Sequence, residues 1–203
     1  MKKPKLRELK EGITSLFTPP YTTKFPYKPH IPPKRFRGRP EFNADECVGC
    51  GACANVCPSK AIEVIDDIRE EKRTLIHQPD KCLFCGECER NCITTKGIKL
   101  TNKFDVSYFK EPEEVENKVE YPLVICKNCG SIIGTEKHII WIYKKLGNLS
   151  YSNAVLVTEI IKNLNIKTEE QEKIILPIQR TDIMKIICPV CRRIAFISDE
   201  KIK

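Results

Sequence analysis

The chain of 203 residues carries twelve cysteines, and their spacing indicates which chemistry they could do. Eight of them form two runs of the pattern C-x2-C-x2-C-x3-C. The first run is Cys47, Cys50, Cys53 and Cys57, and the second is Cys82, Cys85, Cys88 and Cys92. Such a run ligates iron–sulfur clusters, because a tight loop brings three thiolates to three corners of one cluster. The predicted chemistry is one-electron transfer, and no catalytic constellation accompanies the runs.

The fourth cysteine of each run predicts how the two runs are connected. It starts a helix that faces away from its own loop, and in two-cluster proteins it binds the other cluster. On this rule one 4Fe-4S cluster is held by Cys47, Cys50, Cys53 and Cys92. The second 4Fe-4S cluster is held by Cys82, Cys85, Cys88 and Cys57. A pair of zinc knuckles is the alternative, and two complete copies of the motif favour the clusters.

The other four cysteines form two C-x2-C pairs, separated by 58 residues. The pairs are Cys126/Cys129 and Cys188/Cys191. Apolar strands are predicted at Leu123–Ile125, at Ile186–Ile187 and at Ile194–Ile197. Two such pairs on paired strands would make a closed four-thiolate site, which favours one structural Zn²⁺. Rubredoxin-like iron and a redox dithiol pair remain alternatives, and His138 is the only histidine that could open the site.

An internal repeat predicts the elements that position the two cysteine runs. Residues 45–53 align with residues 80–88 at an offset of 35, so each half has a cysteine loop, a short helical turn and an apolar strand. The insert Asp66–Gln78 is predicted to be a solvated β-hairpin, in which His77 is a surface residue. Further helices are predicted at Glu136–Leu146 and Ser152–Leu164.

The N-terminal segment is rich in proline and cannot bury a core of its own. Lys5–Phe17 has its apolar residues on one side and predicts an amphipathic helix. Aromatic residues beyond it, such as Tyr21, Phe25 and Tyr27, favour an arm laid across partner subunits over a solvated tail. The helix would then lie at a partner or membrane surface.

Composition and charge exclude some functions. No apolar run approaches the roughly 20 residues of a membrane span. The N-terminus lacks a secretory signal, so we expect a reducing, cytoplasmic location in which the cysteines bind metal. The formal charge of +8 suggests an anionic partner, but residues 47–100 carry 8 basic and 8 acidic side chains. The excess lies outside the cysteine runs and favours docking surfaces over nucleic-acid binding.

Residues 42–104 resemble a bacterial-type two-cluster ferredoxin domain, which implies an α+β fold. The predicted organisation has four parts. They are an N-terminal helix and docking arm (1–41), the ferredoxin domain (42–104), an acidic linker (105–121) and a zinc-ribbon-like domain with a helical insert (122–203).

A wider resemblance rests on the amphipathic helix, the proline- and tyrosine-rich arm, the motif Arg35–Pro40 and the two cysteine runs. Together they resemble the two-cluster iron–sulfur subunit of respiratory complex I and of group 4 NiFe hydrogenases and formate hydrogenlyases. The C-terminal cysteine pairs favour the hydrogenase branch. The resemblance implies a non-catalytic electron-transfer subunit, peripheral on the cytoplasmic side of the membrane. Its implied partners are a hydrogenase small-subunit-like core protein, further iron–sulfur subunits and a soluble ferredoxin.

Three other functions remain open. The chain could be a peripheral subunit of a quinone- or coenzyme-linked dehydrogenase or of a sulfur-reducing complex. It could be a free-standing soluble ferredoxin, in which case residues 1–41 would be dispensable for electron transfer. A nucleic-acid-binding zinc protein is the third alternative, and it requires strongly salt-dependent binding.

Overall fold

A computed structural model describes residues 5–19, 22–107, 116–164 and 185–200 of the chain. The chain divides into two units, Met1–Phe36 and Arg37–Lys203. Tyr21, one of the arm's aromatic residues, lies outside the described residues.

The N-terminal unit contains helix α1, Leu6–Phe17, which confirms the predicted helix. The backbone N–H of Lys5 donates to Glu8 Oε2 at 3.0 Å and so caps its first turn. No residue of α1 is buried. Its apolar side chains are all exposed: Leu6, Leu9, Ile13, Leu16 and Phe17.

Two short helices and four strands surround the cysteine runs. Helix α2 (Ala52–Asn55) precedes strand β2 (Ile62–Asp67), and helix α3 (Glu87–Arg90) precedes strand β4 (Ile98–Leu100), as the repeat predicts. Strand β1 (Pro40–Phe42) pairs antiparallel with β4. Strand β3 (Lys72–His77) pairs antiparallel with β2. The predicted hairpin is therefore confirmed, but it is not fully solvated, since Leu75 and His77 on β3 are buried.

The last residues of the predicted arm belong to the second unit. The N–H of Gly38 donates to Thr101 O at 2.9 Å, and that of Arg39 donates to Lys103 O at 2.8 Å. A Cβ on Gly38 would lie 2.4 Å from Lys103 O, so only glycine allows this approach.

Strand β5 (Asn117–Ile125) joins the C-terminal third to the same sheet. It pairs antiparallel with β3 and with β6 (Ile132–Thr135), which gives the strand order β2-β3-β5-β6. The acidic linker predicted for residues 105–121 therefore ends in a strand. Its middle, residues 108–115, lies outside the described residues. Pairing with β5 covers the backbone edge that β3 would otherwise expose.

Within the described residues, three α-helices follow the sheet. Helices α4 (Glu136–Leu146) and α5 (Ala154–Asn163) confirm the two predicted helices, and a 3-10 turn at Gly147–Ser152 separates them. Helix α6 spans Pro189–Glu200. The strand predicted at Ile194–Ile197 is therefore wrong.

The prediction around the second cysteine pair fails for a physical reason. Residues 185–188, where a strand was also predicted, form a bend and irregular backbone. On α6, Cys191 and Ala195 are buried and four residues apart, so both lie on the inward face of the helix. A short continuous apolar run does not distinguish a strand from a helix, because neither periodicity shows in it.

Candidate metal centres

The first cavity lies between the loop of the first cysteine run and the end of the second run. Its volume is about 310 Å³, including space open to solvent. Three cysteines of the first run and one of the second line it: Cys47, Cys50, Cys53 and Cys92. Most other wall residues are apolar, including Phe42, Leu75 and Ile98.

The second cavity repeats this arrangement with the two runs exchanged. Its volume is about 330 Å³, again including open space. Its cysteines are Cys57, Cys82, Cys85 and Cys88. The structure therefore brings together each of the two sets of four that the crossing rule selects.

The two cysteine loops have the same backbone conformation. Positive φ angles occur at Gly49 and Gly51 (+67° and +76°) and at the repeat-related Phe84 and Gly86 (+51° and +80°). Positive φ turns backbone N–H groups inward, and here it recurs at the offset of 35 seen in the sequence. Phe84 adopts this conformation without the freedom of a glycine.

The surroundings shift the pKa values of the thiols in different directions. Burial raises the pKa of Cys53 to about 12 and that of Cys88 to about 11. Burial also acts to raise the pKa of Cys57 and Cys92. Contacts with the hydroxyls of Ser59 (3.7 Å) and Thr94 (3.4 Å) and with backbone N–H groups outweigh it, and both pKa values are lowered.

Four convergent thiols in a mostly apolar cavity suit an iron–sulfur cluster. A buried thiolate is unfavourable without a compensating positive charge, and a bound metal supplies that charge. Each cavity offers the four cysteine sulfurs that a 4Fe-4S cluster requires. The residues present therefore fit two clusters, which would supply one-electron redox chemistry when bound.

The third group of cysteines forms a much tighter site. The sulfur atoms of Cys126, Cys129, Cys188 and Cys191 all lie within 4.8 Å of one another. The sulfurs of Cys129 and Cys188 are 3.6 Å apart. A tetrahedral zinc ion with Zn–S bonds of about 2.3 Å places its sulfurs about 3.8 Å apart. The donor set therefore fits one tetrahedral ion, and within the described residues no histidine joins it.

N–H groups stabilise the thiolates of this tight site. The backbone N–H of Cys188 donates to Cys126 Sγ at 3.2 Å, and that of Cys191 donates to Cys188 Sγ at 3.4 Å. The side-chain amide of Asn128 donates to Cys191 Sγ at 3.3 Å. A hydrogen bond with Ser131 and the backbone N–H of Cys191 lower the pKa of Cys188 to about 6.

Strands β5 and β6 pack against the loop of the first cavity. Tyr121 is 3% exposed, and its hydroxyl donates to Ala44 O at 3.4 Å. The hydroxyl of the buried Thr135 donates to Val48 O, and its oxygen also accepts the first-turn N–H of α4. The C-terminal region thus supports the first cysteine loop, which the sequence does not indicate.

His77 is the residue that sequence reasoning misplaced. It is 0% exposed and not a surface residue, because it lies on the same inward face of β3 as Leu75, two residues before it. Neither ring nitrogen has a hydrogen-bond partner within the described residues. Burial lowers the pKa of His77 to about 4, and the charge of Arg39 adds to this effect. The Leu75/His77 alternation is the signal that could have predicted its burial.

Residues 33–96 match the protein family described as the 4Fe-4S dicluster domain. This chain contains a 4Fe-4S dicluster domain. The domain includes both cysteine runs and ends before β4.

Curated relatives are similar to part of this chain. The chain is 32% identical to NAD(P)H-quinone oxidoreductase subunit I of Gloeobacter violaceus, over 46% of this chain and 47% of the relative. It is 34% identical to formate hydrogenlyase subunit 6 of Escherichia coli, over 58% of this chain and 64% of the relative. It is 29% identical to NADH-quinone oxidoreductase subunit I 2 of Geobacter metallireducens, over 55% of this chain and 91% of the relative. The chain thus spans about half the length of the first relative and under two thirds of the second.

A solved structure is also similar. The match is to a chain of the membrane-bound sulfane sulfur reductase, an archaeal respiratory membrane complex, with 28% identity and a TM-score of 0.40. It covers 57% of this chain and 62% of that chain. Among the described residues of the present chain, no helix is both long enough and apolar enough to span a membrane.

Proposed function

We propose that the chain is an electron-transfer subunit that relays electrons through two 4Fe-4S clusters within a membrane-associated complex of the energy-converting hydrogenase or formate hydrogenlyase type. The observation that carries this proposal is the pair of cavities in the dicluster domain, each lined by three cysteines of one run and the last cysteine of the other. Because each cavity draws ligands from both halves, the two clusters lie next to each other, as stepwise electron transfer requires.

The proposed ligands follow from the cavity walls. One cluster is bound by Cys47, Cys50, Cys53 and Cys92, and the other by Cys57, Cys82, Cys85 and Cys88. The protein excludes water with apolar walls and sets the potentials through N–H···S hydrogen bonds and burial. The four-cysteine site binds one Zn²⁺ that ties α6 to the β5–β6 hairpin and takes no part in electron transfer.

The exposed apolar face of α1 supports the proposal that partner subunits bind this chain. Leu6, Leu16 and Phe17 are each 80% exposed or more, which is unfavourable unless another surface covers them. The proposed partners are a hydrogenase small-subunit-like protein, further iron–sulfur subunits and a soluble ferredoxin donor or acceptor. The complex would hold this chain at the cytoplasmic face of the cell membrane.

Metal analysis tests the cofactors. We expect about eight irons and about one zinc per anaerobically purified chain, from the tally of ligands. EPR of the reduced protein should show two interacting 4Fe-4S centres. Fewer than about four irons would contradict the proposal, and a ninth iron in place of zinc would assign rubredoxin-like iron to the third site.

Co-purification tests the type of complex. A nickel-bearing large subunit recovered with the tagged chain supports the hydrogenase type, and its absence contradicts it. The second candidate is a peripheral subunit of a complex I-like quinone dehydrogenase, which the names of two relatives favour. Flavin and NADH oxidation in the purified complex, without nickel, would establish that candidate.

A further inference from the structure

The two cavities differ at one strand. Leu75 and His77, two residues apart on β3, point to the same face, and Leu75 lines the first cavity while His77 lines the second. Both side chains are 0% exposed. The same strand therefore presents an apolar side chain to one candidate cluster and an imidazole to the other.

His77 carries hydrogen-bonding groups that the described part of the chain does not pair. A neutral imidazole always has one N–H donor and one acceptor nitrogen. Buried donors in folded proteins are almost always paired. Both ring nitrogens are buried without a partner among the described residues. An acceptor inside the second cavity would satisfy the N–H donor of the ring.

The other polar side chains of that wall are already engaged. Ser59 contacts the sulfur of Cys57, and Glu87 accepts hydrogen bonds from Arg90 and Asn91. In the first cavity, Thr94 contacts the sulfur of Cys92, as its repeat-related partner Ser59 contacts Cys57. The hydroxyl contacts are thus symmetric, and the imidazole belongs to the second cavity alone.

We infer that the imidazole of His77 donates a hydrogen bond to a sulfur of the cluster in the second cavity and raises the reduction potential of that cluster, leaving the other cluster unaffected. The inference rests on the proposed function, since it requires both clusters. A hydrogen bond to a cluster sulfur stabilises the reduced cluster more than the oxidised one, because the reduced cluster carries one more negative charge. His77 therefore sets the potential difference between the two clusters by direct contact with one of them.

The test is an EPR-monitored redox titration of the full, cluster-loaded chain and three variants. His77→Leu removes the donor, and His77→Gln keeps an N–H donor on a flexible side chain. Leu75→Met is the matched control, because it alters the wall of the first cavity without adding a donor. The equilibrium constant for reducing the second-cavity cluster should fall about tenfold in His77→Leu, which is about 59 mV for a one-electron couple.

The variants separate a hydrogen bond from a packing effect. His77→Gln should recover at least half of the shift, and Leu75→Met should leave the second-cavity cluster unchanged. Unchanged potentials in His77→Leu would overturn the inference. So would an equal shift of both clusters, or a His77→Gln variant that behaves like His77→Leu.

A spectroscopic measurement keeps the test decisive if His77→Leu fails to load clusters. The chain contains three histidines, so selective ¹⁵N-histidine labelling is simple. Pulsed EPR of the reduced wild-type protein should show a weak ¹⁵N coupling from the labelled imidazole, which is lost in His77→Gln because the glutamine carries no label. Absence of this coupling in a protein with about eight irons overturns the inference alone, whereas an iron count near zero overturns the proposed function as well.

Discussion

The dicluster cavities and the four-cysteine site hold the same ligand atom in different ways. In the dicluster domain, loops from two repeat-related halves place four sulfurs around cavities of about 310 and 330 Å³. In the C-terminal region, a hairpin and the start of α6 bring four sulfurs within 4.8 Å of one another. The first arrangement spreads four sulfurs around a cavity wall, as a cluster of several atoms requires, and the second brings four sulfurs close enough to share a single ion.

The two kinds of site also depend on the rest of the fold in different ways. The crossed cysteines make the two halves of the dicluster domain mutually dependent, because each cavity takes a ligand from both. The four-cysteine site instead connects α6 to the hairpin. The free energy of metal binding at such sites adds directly to the free energy of folding, since the assembled sites do not exist in the unfolded chain.

The largest expected effect comes from breaking the crossing. Cys92→Ala should remove the cluster of the first cavity and lower the iron content from about eight to about four per chain. Cys57→Ala is the matched variant and should remove the other cluster. Iron analysis and EPR measure both changes. If Cys92→Ala and Cys82→Ala retain a cluster with the same EPR signal and potential, Cys92 belongs to the cluster of its own run and the crossed assignment is wrong.

Removing one ligand from the four-cysteine site should change the zinc content without changing the iron content. Cys191→Ser should lower the zinc content from about one to near zero and leave about eight irons, because the sites share no ligand. Inductively coupled plasma mass spectrometry measures both metals in one sample. Loss of iron together with zinc would show that the sites are not independent.

A smaller effect should come from crowding the contact between the first loop and β5. A Cβ at Gly49, where φ is +67°, would lie 2.7 Å from Tyr121 Cδ2. Gly49→Ala should therefore destabilise the protein by about 1–3 kcal/mol, measured from the urea midpoint of cluster loss. Gly51→Ala is the control, because its Cβ meets only Val64 at 3.6 Å and adds backbone strain alone. Equal losses in both variants would contradict the role of Tyr121.

The smallest expected effect concerns the ion pairs of the hairpin. Arg73 donates to Asp66 at 2.6 and 2.8 Å and to Gly49 O at 3.1 Å, so it links the hairpin to the first loop. Arg73→Met should cost about 1–2 kcal/mol. Lys72→Met, which removes an exposed pair with Glu120, should cost about 0.5 kcal/mol or less. Urea midpoints measure both, and a larger loss for Lys72→Met would contradict the ranking.

The Asp66 pair also has a defined pH dependence. The Arg73 hydrogen bond lowers the pKa of Asp66, so the folded state holds this carboxylate ionised more strongly than the unfolded state does. Its contribution is complete above the usual aspartate pKa of about 3.9 and is lost as the pH falls through the lower folded value. Arg73→Met should not show this loss below pH 4.

Much of the site could be predicted from local spacing. The cysteine spacing and the 35-residue repeat predicted two sets of four cysteines, and the same sets surround the two cavities. Ligand assignment and zinc stay predictions until metals are measured. Helix α4 was also predictable, because Thr135 caps its first turn and its apolar residues recur at helical intervals.

The sequence by itself determined which residues share a turn or loop, because the backbone geometry over three to ten residues depends on local spacing and glycine positions. Only the tertiary structure decided that β5 pairs with β3, that the second cysteine pair begins a helix and that His77 is buried. These features depend on which distant segment covers an edge or a face. Thr74 pairs with Glu120, 46 residues away, and the local sequence pattern of neither strand predicts this pairing.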